Sequence, residues 1–98
     1  AIHDAVAASD SDKVLVTHGT DTMVDTARVL SDIGGKTIVL TGAMQPATLR
    51  NSDAEFNVGF ALAATQTLPP GIYIAMNGEV FDPAKVHKDR SAHRFMRD

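Results

Sequence analysis

The amino-acid sequence has 98 residues, a hydrophobic fraction of 44% and a formal net charge of −3. These values are ordinary for a globular protein, and they give no electrostatic reason to expect nucleic acid or a membrane surface as a partner. The sequence contains no cysteine, which excludes disulfides, thiolate zinc sites and a cysteine nucleophile. No apolar run approaches the roughly 20 residues of a membrane-spanning helix. This composition is compatible with a cytoplasmic location, which we expect.

Hydrophobic spacing predicts helices and strands that alternate along the chain. The predicted elements are, in order, a helix over 2–8, a strand over 14–17, a helix over 22–33, a strand over 37–41, a helix from about 53 to 67, and a strand over 72–76. Gly34-Gly35 ends the second helix, and Ser52-Asp53-Ala54-Glu55 has the spacing of a capping box before the third. Asn77-Gly78 predicts a tight turn into residues 79–81.

The three predicted strands are apolar runs without polar alternation, which is typical of strands buried on both faces of a parallel sheet. Strand–helix–strand order favours right-handed crossovers and a three-layer α/β/α sandwich of the Rossmann or flavodoxin type. Three such strands make a narrow sheet with open edges, and residues 1–4 carry neither an initiator methionine nor a signal peptide. We therefore expect residues 1–98 to be one segment of a larger α/β domain.

A hydroxyl and a carboxylate follow the first predicted strand. Thr20 and Asp21 lie where that strand gives way to a helix, and the carboxyl ends of parallel strands open onto the crevice where such folds place ligands. A threonine hydroxyl can act as a nucleophile or proton donor when a partner changes its protonation, and a carboxylate can bind an ammonium group. Alternatively, Thr20, Asp21 or Thr22 caps the following helix.

Two motifs carry a family resemblance. The runs His18-Gly19-Thr20-Asp21-Thr22-Met23 and Thr41-Gly42-Ala43-Met44-Gln45-Pro46 strongly resemble the bacterial-type L-asparaginase family. Met76-Asn77 at a strand end, followed by Lys88, fits the same order of motifs. The resemblance spans about residues 13 to 90 and implies the middle to end of the family's N-terminal α/β domain, or the end of a short single-domain form.

The resemblance also implies an activity. The family hydrolyses asparagine, and often glutamine, to the acid and ammonia without a metal or organic cofactor, and its members are oligomers. Thr20, Asp21 and Lys88 resemble a catalytic cluster in which Thr20 and Asp21 contact the substrate and Asp21 binds its α-ammonium group. Lys88 would influence proton transfer at Thr20. Because a neighbouring carboxylate favours charged, non-basic lysine, we hypothesise that substrate ammonium neutralises Asp21 and helps Lys88 to lose its proton.

The surrounding residues have simpler interpretations. We expect His18 to be a structural hydrogen-bonding residue, and Gly42 to Met44 to pack behind the site. Arg50, Asn51 and Asp53 could shape the crevice, although Ser52 or Asp53 is expected to cap the third helix instead. Arg90, Arg94 and Arg97 are expected to form a solvated end. His3, His87 and His93 are too scattered to suggest a metal site, and spacing alone would leave Lys88 as a surface residue.

Part of the family's site has no counterpart in this sequence. The family begins with a strand ending in Thr-Gly-Gly-Thr-Ile, whose first threonine is the usual nucleophile and is activated by a tyrosine on a mobile loop. This run does not occur here, and the only tyrosine, Tyr73, lies inside a predicted buried strand. The family's Asp-Ser or Gly-Ser segment for the substrate carboxylate is not assigned to these residues. We therefore expect half a site, completed by missing sequence or another chain.

Three functional hypotheses are compatible with these motifs. The leading one is an asparaginase-type amidohydrolase acting on a small amino-acid amide, with partners limited to further copies or the missing sequence. The second is the asparaginase-like subunit of a tRNA-dependent amidotransferase. The third is a non-catalytic amino-acid-binding or assembly module of the same fold. A nucleotide-binding domain is disfavoured because neither G-x-G-x-x-G nor P-loop spacing occurs.

Overall fold

The computed structural model describes residues 2–44, 53–89, 91–92 and 94–98. Within these ranges the elements, in chain order, are α1 Ile2–Ala8, β1 Lys13–Thr17, α2 Met23–Val29, a 3-10 turn Leu30–Asp32, β2 Thr37–Thr41, α3 Ala54–Thr67, β3 Gly71–Met76, β4 Glu79–Phe81, a 3-10 turn Pro83–Lys85, β5 Val86–Asp89 and β6 Arg94–Arg97. The predicted helices and strands are confirmed, with small shifts at their ends. No helix in the described ranges is long and apolar enough to cross a membrane.

The main sheet is mixed and has the strand order β1-β2-β3-β4. β1, β2 and β3 run parallel, in a register that pairs Val14 with Ile38 and Ile38 with Ile72. β4 is antiparallel to β3 and follows a two-residue turn in which Asn77 and Gly78 both have positive φ, at 52° and 80°. The mainly parallel sheet and the tight turn predicted from the sequence are therefore confirmed.

Helices cover both faces of the sheet, because alternate side chains of each strand point to opposite faces. Ile38 and Leu40 of β2 pack in one cluster with Met23 of α2 and Val6 of α1. Val39, between them in the sequence, packs on the other face with residues of α3 such as Ala61. This arrangement is the three-layer α/β/α sandwich that the sequence predicts.

Burial differs among the three parallel strands. Every residue of β2 is buried, as expected for a strand with a neighbour on each side. The prediction of full burial is wrong for β1, whose residues are exposed or half-buried, because β1 lies at the edge of the described sheet. It is also wrong for Tyr73, which is half-buried and donates its hydroxyl proton to the Pro69 carbonyl at 2.8 Å.

The described end of the chain forms a second sheet that the sequence does not predict. β5 and β6 pair antiparallel and place Val86 and Phe95 in the same core cluster as Phe81. The expectation of a solvated end is wrong for Arg97, which lies 4.8 Å over the Phe81 ring and pairs with Glu79 at 3.1 Å. Arg94 is exposed, as expected, but it belongs to strand β6, while Arg90 lies outside the described residues.

The connection between these two strands is organised by one carboxylate. Asp89 accepts hydrogen bonds from the backbone N–H groups of Ser91 and Ala92 and from the Ser91 hydroxyl. The Ser91 hydroxyl, followed by the Ala92 N–H, lowers the pKa of Asp89. The connection therefore favours an ionised Asp89, and it returns the chain so that β6 covers the core beside β5.

Candidate functional site

Thr20, Asp21 and Lys88 lie together beyond the carboxyl end of β1. The Lys88 side chain extends from β5, and its Nζ donates hydrogen bonds to Thr20 Oγ1 at 2.8 Å and to Asp21 Oδ1 at 2.6 Å. Thr20 and Lys88 are separated by 68 residues in the sequence. The fold therefore brings together the three residues that the sequence motifs single out.

Burial within this cluster is uneven. The Lys88 side chain is 17% exposed, whereas the Asp21 side chain is 64% exposed. A solute can therefore reach the carboxylate of Asp21 more readily than it can reach the ammonium group of Lys88. Because Thr20 Oγ1 accepts from Lys88, the hydroxyl's own hydrogen points away from the lysine. The cluster thus presents an accessible carboxylate beside a hydroxyl that is polarised by a cation.

The alternative capping role is not supported for this segment. Thr22 occupies the position before the first residue of α2, but its side chain makes no capping hydrogen bond. The contacts of Thr20 and Asp21 with Lys88 turn both side chains toward β5 instead. The cap is therefore a backbone arrangement, in which the Thr26 N–H donates to the Thr22 carbonyl.

His18 has the structural role predicted for it. Its Nδ1 lies 2.7 Å from the carbonyl oxygen of Gly19, and its Nε2 lies 2.8 Å from Thr26 Oγ1. A carbonyl can only accept, so Nδ1 carries the proton and Nε2 of the neutral ring accepts from the threonine hydroxyl. The ring thereby connects the loop before Thr20 to helix α2.

Gly42 packs directly behind this loop. A Cβ atom at this position would lie 2.2 Å from the carbonyl oxygen of His18, so only glycine allows the two backbones to approach so closely. The His18 N–H also donates to the Thr41 carbonyl at 2.9 Å. Met44 is half-buried against the core. The expected packing of Gly42 to Met44 behind the site is confirmed, whereas Gln45 and Pro46 of the same motif lie outside the described residues.

Asp53 does not cap α3 through its side chain, contrary to one of the two expectations. Its Oδ2 accepts hydrogen bonds from the Met44 N–H and from the side-chain amides of Asn57 and Asn77. The carboxylate therefore points across the end of the sheet, where it satisfies three donors instead of the helix terminus. The other capping candidate, Ser52, and the crevice candidates Arg50 and Asn51 lie outside the described residues.

Two further polar residues of this region, Asn57 and Asn77, are not among the candidates predicted from the sequence. Asn57 is fully buried, and it shares the core-facing side of α3 with Ala61 and Ala64 at helical spacing. A polar residue within an apolar stripe is the available signal, because a buried amide must find hydrogen-bond partners. The sequence identifies Asn77 only as a turn residue, although its side chain joins the Asp53 network.

The described residues offer no cluster of histidine or acidic side chains that could hold a metal ion. His3 lies 2.6 Å from Asp32, and His87 lies 2.8 Å from Asp98. A pocket of about 400 Å³ lies between the turn after β3 and strand β6, with Asn77 and Phe95 in its lining. Thr20, Asp21 and Lys88 do not line this pocket, so the cluster and the pocket are separate features of the surface.

Comparison with known proteins identifies relatives of the chain. The family model described as "Asparaginase, N-terminal" matches residues 1–96. A glutaminase-asparaginase from Acinetobacter glutaminasificans is 33% identical over 97 residues, which are 94% of this chain and 29% of that protein. A glutamyl-tRNA(Gln) amidotransferase subunit from Methanococcus vannielii is 36% identical over 91 residues, which are 87% of this chain and 21% of that protein.

A solved structure has the same fold. The probable cytoplasmic L-asparaginase from Campylobacter jejuni superposes with a TM-score of 0.86 at 31% sequence identity. The superposition covers 98% of this chain and 34% of that one. The chain thus spans about a fifth to a third of the length of these three proteins.

Proposed function

The chain belongs to the asparaginase family, and on this premise we propose that the protein containing it hydrolyses the side-chain amide of an amino acid such as L-asparagine. The products are the corresponding acid and ammonia, and glutamine is the second candidate substrate. The observation that carries the proposal is the pair of hydrogen bonds from Lys88 Nζ to Thr20 Oγ1 and Asp21 Oδ1. In this proposal, residues 1–98 form a segment of the family's N-terminal α/β domain.

Asp21 has the chemistry and the exposure needed to bind the substrate's α-ammonium group. Its carboxylate is negatively charged and accessible, and it forms an ion pair with Lys88. A substrate ammonium group that docks on Asp21 competes with Lys88 for the same negative charge. Charge-assisted hydrogen bonds of this kind are about twice as strong as neutral ones, so Asp21 would contribute to substrate affinity as well as to turnover.

Lys88 and Thr20 form a short path for a proton. Thr20 Oγ1 accepts a hydrogen bond from Lys88 Nζ, so an unprotonated lysine can take the hydroxyl proton through the same contact. Arrival of a substrate ammonium group at Asp21 withdraws part of the charge that holds the lysine protonated. The substrate itself would therefore help to activate Lys88.

The cluster is proposed as one half of the site. The sequence has no Thr-Gly-Gly-Thr run, so the primary nucleophile implied by the family resemblance is not assigned to any of these 98 residues. Association with further copies or further sequence is part of the proposal. It is supported by Phe56 and Leu62 on the outer face of α3, which are 60% and 53% exposed. A cytoplasmic location stays a prediction.

The substrate-binding role of Asp21 is tested by Asp21→Asn in the protein that contains this chain. We expect a raised KM for asparagine together with a lower kcat, because the ammonium group loses its charged partner. Asp25→Asn is the matched control, since Asp25 is an exposed carboxylate within the first turn of α2 rather than in the loop before it. An unchanged KM in Asp21→Asn, measured by coupled ammonia release, would remove Asp21 from the binding site.

The amidotransferase relative supports a second candidate function. Its similarity covers 87% of this chain, so the same segment occurs in a protein that acts with charged tRNA by name. An ammonia-supplying subunit would release little ammonia from free amino acids until a partner protein and charged tRNA are present. Turnover of free asparagine by the purified protein alone favours the first proposal. Tight amino-acid binding without turnover would instead favour the non-catalytic module.

A further inference from the structure

Asn57 is a buried amide that connects the ends of two strands. It has no exposed surface, and it lies in the first turns of α3. Its Nδ2 donates to the Gly42 carbonyl at 2.8 Å, just beyond β2, and its Oδ1 accepts from the Asn77 N–H at 2.9 Å, just beyond β3. The second hydrogen of Nδ2 goes to Asp53 Oδ2 at 3.1 Å. One side chain therefore fixes the spacing of two segments that end at the same edge of the sheet.

The contact with Gly42 extends this connection to the loop over residues 18–22, here called the catalytic loop. Gly42 packs so closely on His18 that an added Cβ would lie 2.2 Å from the His18 carbonyl oxygen. That carbonyl belongs to the peptide that leads into Gly19 and Thr20. A displacement of Gly42 toward β1 is therefore transmitted directly to the backbone just before Thr20, because the two backbones have no room between them.

We propose that Asn57 is a positioning residue for the amide hydrolysis described above, and this inference rests on that proposed function. Asn57 holds Gly42, and Gly42 holds the His18–Thr20 backbone at the position where Thr20 meets Lys88. The role requires two donors and one acceptor at a buried position, which a carboxamide supplies. An aspartate has nearly the same shape but no donor, and it would place negative charge beside Asp53.

The test uses Asn57→Asp and the double variant Asn57→Asp/Asp53→Asn in the protein that contains this chain. The single variant is expected to lose stability and to lower kcat on the order of 10²-fold, the effect typical of a displacement of about 1 Å near reacting groups. The double variant removes the repulsion between two carboxylates, because an amide at 53 can donate to a carboxylate at 57. We expect its midpoint of denaturation to recover toward that of the unmodified protein.

The decisive feature is what the double variant does not restore. A carboxylate at 57 still accepts from the Asn77 N–H, but it cannot donate to the Gly42 carbonyl. We therefore expect kcat to stay roughly tenfold low or lower while stability recovers, with KM changing less than kcat. Thr65→Val is the control, since Thr65 is a buried polar residue of α3 whose hydroxyl bonds within the same helix. It is expected to lower stability and leave kcat unchanged.

A second readout does not depend on substrate. In the double variant, amide hydrogen exchange at His18 should accelerate, because its bond to Thr41 is disturbed when Gly42 moves, while exchange at Asn77 stays slow. Recovery of kcat in parallel with stability, or unchanged exchange at His18, would overturn the positioning role and leave Asn57 as a purely structural residue. If the unmodified protein hydrolyses no amide, the proposed function fails, and exchange at His18 alone decides the inference.

Discussion

The close approach of Gly42 to His18 makes a quantitative prediction for Gly42→Ala. The added Cβ would lie 2.2 Å from the His18 carbonyl oxygen and 3.1 Å from Met23 Cε. The methionine end can rotate away, but the carbonyl belongs to a residue whose backbone is hydrogen bonded to Thr41. The two backbones must separate by about 1 Å to reach ordinary contact distances. Overpacking of this kind costs about 1–3 kcal/mol in the free energy of unfolding.

The same displacement reaches the catalytic loop, so activity should fall further than stability alone explains. At a temperature where the variant is fully folded, we expect kcat to drop on the order of 10²-fold. Gly59→Ala is the matched control, because its Cβ would meet nothing within 4 Å on an exposed helix face. That control should gain about 0.5–1 kcal/mol from the restricted unfolded chain. Denaturant unfolding and ammonia release measure both effects. A Gly42→Ala protein as stable and active as the unmodified one would refute the packing described here.

Two further predictions address other parts of the molecule. The hydrogen bond from His3 to Asp32 raises the pKa of His3, so its contribution to stability is fully present below the usual pKa and is lost as pH rises through the raised value. Denaturant unfolding should therefore show that His3→Gln is destabilising at about pH 5.5 and nearly neutral at about pH 9, and the opposite order would contradict the assignment. A polypeptide of residues 1–98 alone should release no ammonia from asparagine above the buffer rate, because the family's nucleophile strand is not in this sequence. Turnover that disappears in Thr20→Ala would instead make Thr20 the nucleophile.

The sequence predicts the fold well wherever chemistry and position agree. β2 begins and ends where its apolar run predicts, since a central strand is buried on both faces. β1 has an equally apolar run but lies at the edge of the described sheet, and sequence alone does not distinguish the two positions. The β5–β6 sheet has no clear signal in the sequence because most of its residues are polar or charged. Only Val86 and Phe95 from this sheet are buried in the core.

The candidate site divides in the same way. Thr20 and Asp21 follow a strand directly, so local pattern and family resemblance both point to them. Lys88 is identified by resemblance alone, because a lysine in a charged stretch has no local signal. Asn57 requires the structure, since its partners Gly42 and Asn77 are 15 and 20 residues away along the chain. Long-range hydrogen bonds of one buried amide leave little trace in a single sequence.

The central claim, that Lys88 acts on Thr20 in catalysis, is tested most directly by the turnover of Lys88→Met beside Lys85→Met. Lys85 is exposed and lies three positions earlier, in the 3-10 turn before β5. We expect Lys88→Met to lose on the order of 10²–10⁴ in kcat, the range for a positioned acid or base, while Lys85→Met stays unchanged. Lys88→Arg should not recover activity, because a guanidinium stays protonated at working pH. Full turnover in Lys88→Met, with folding confirmed by circular dichroism, would contradict the account and leave Thr20 and Asp21 as a binding element.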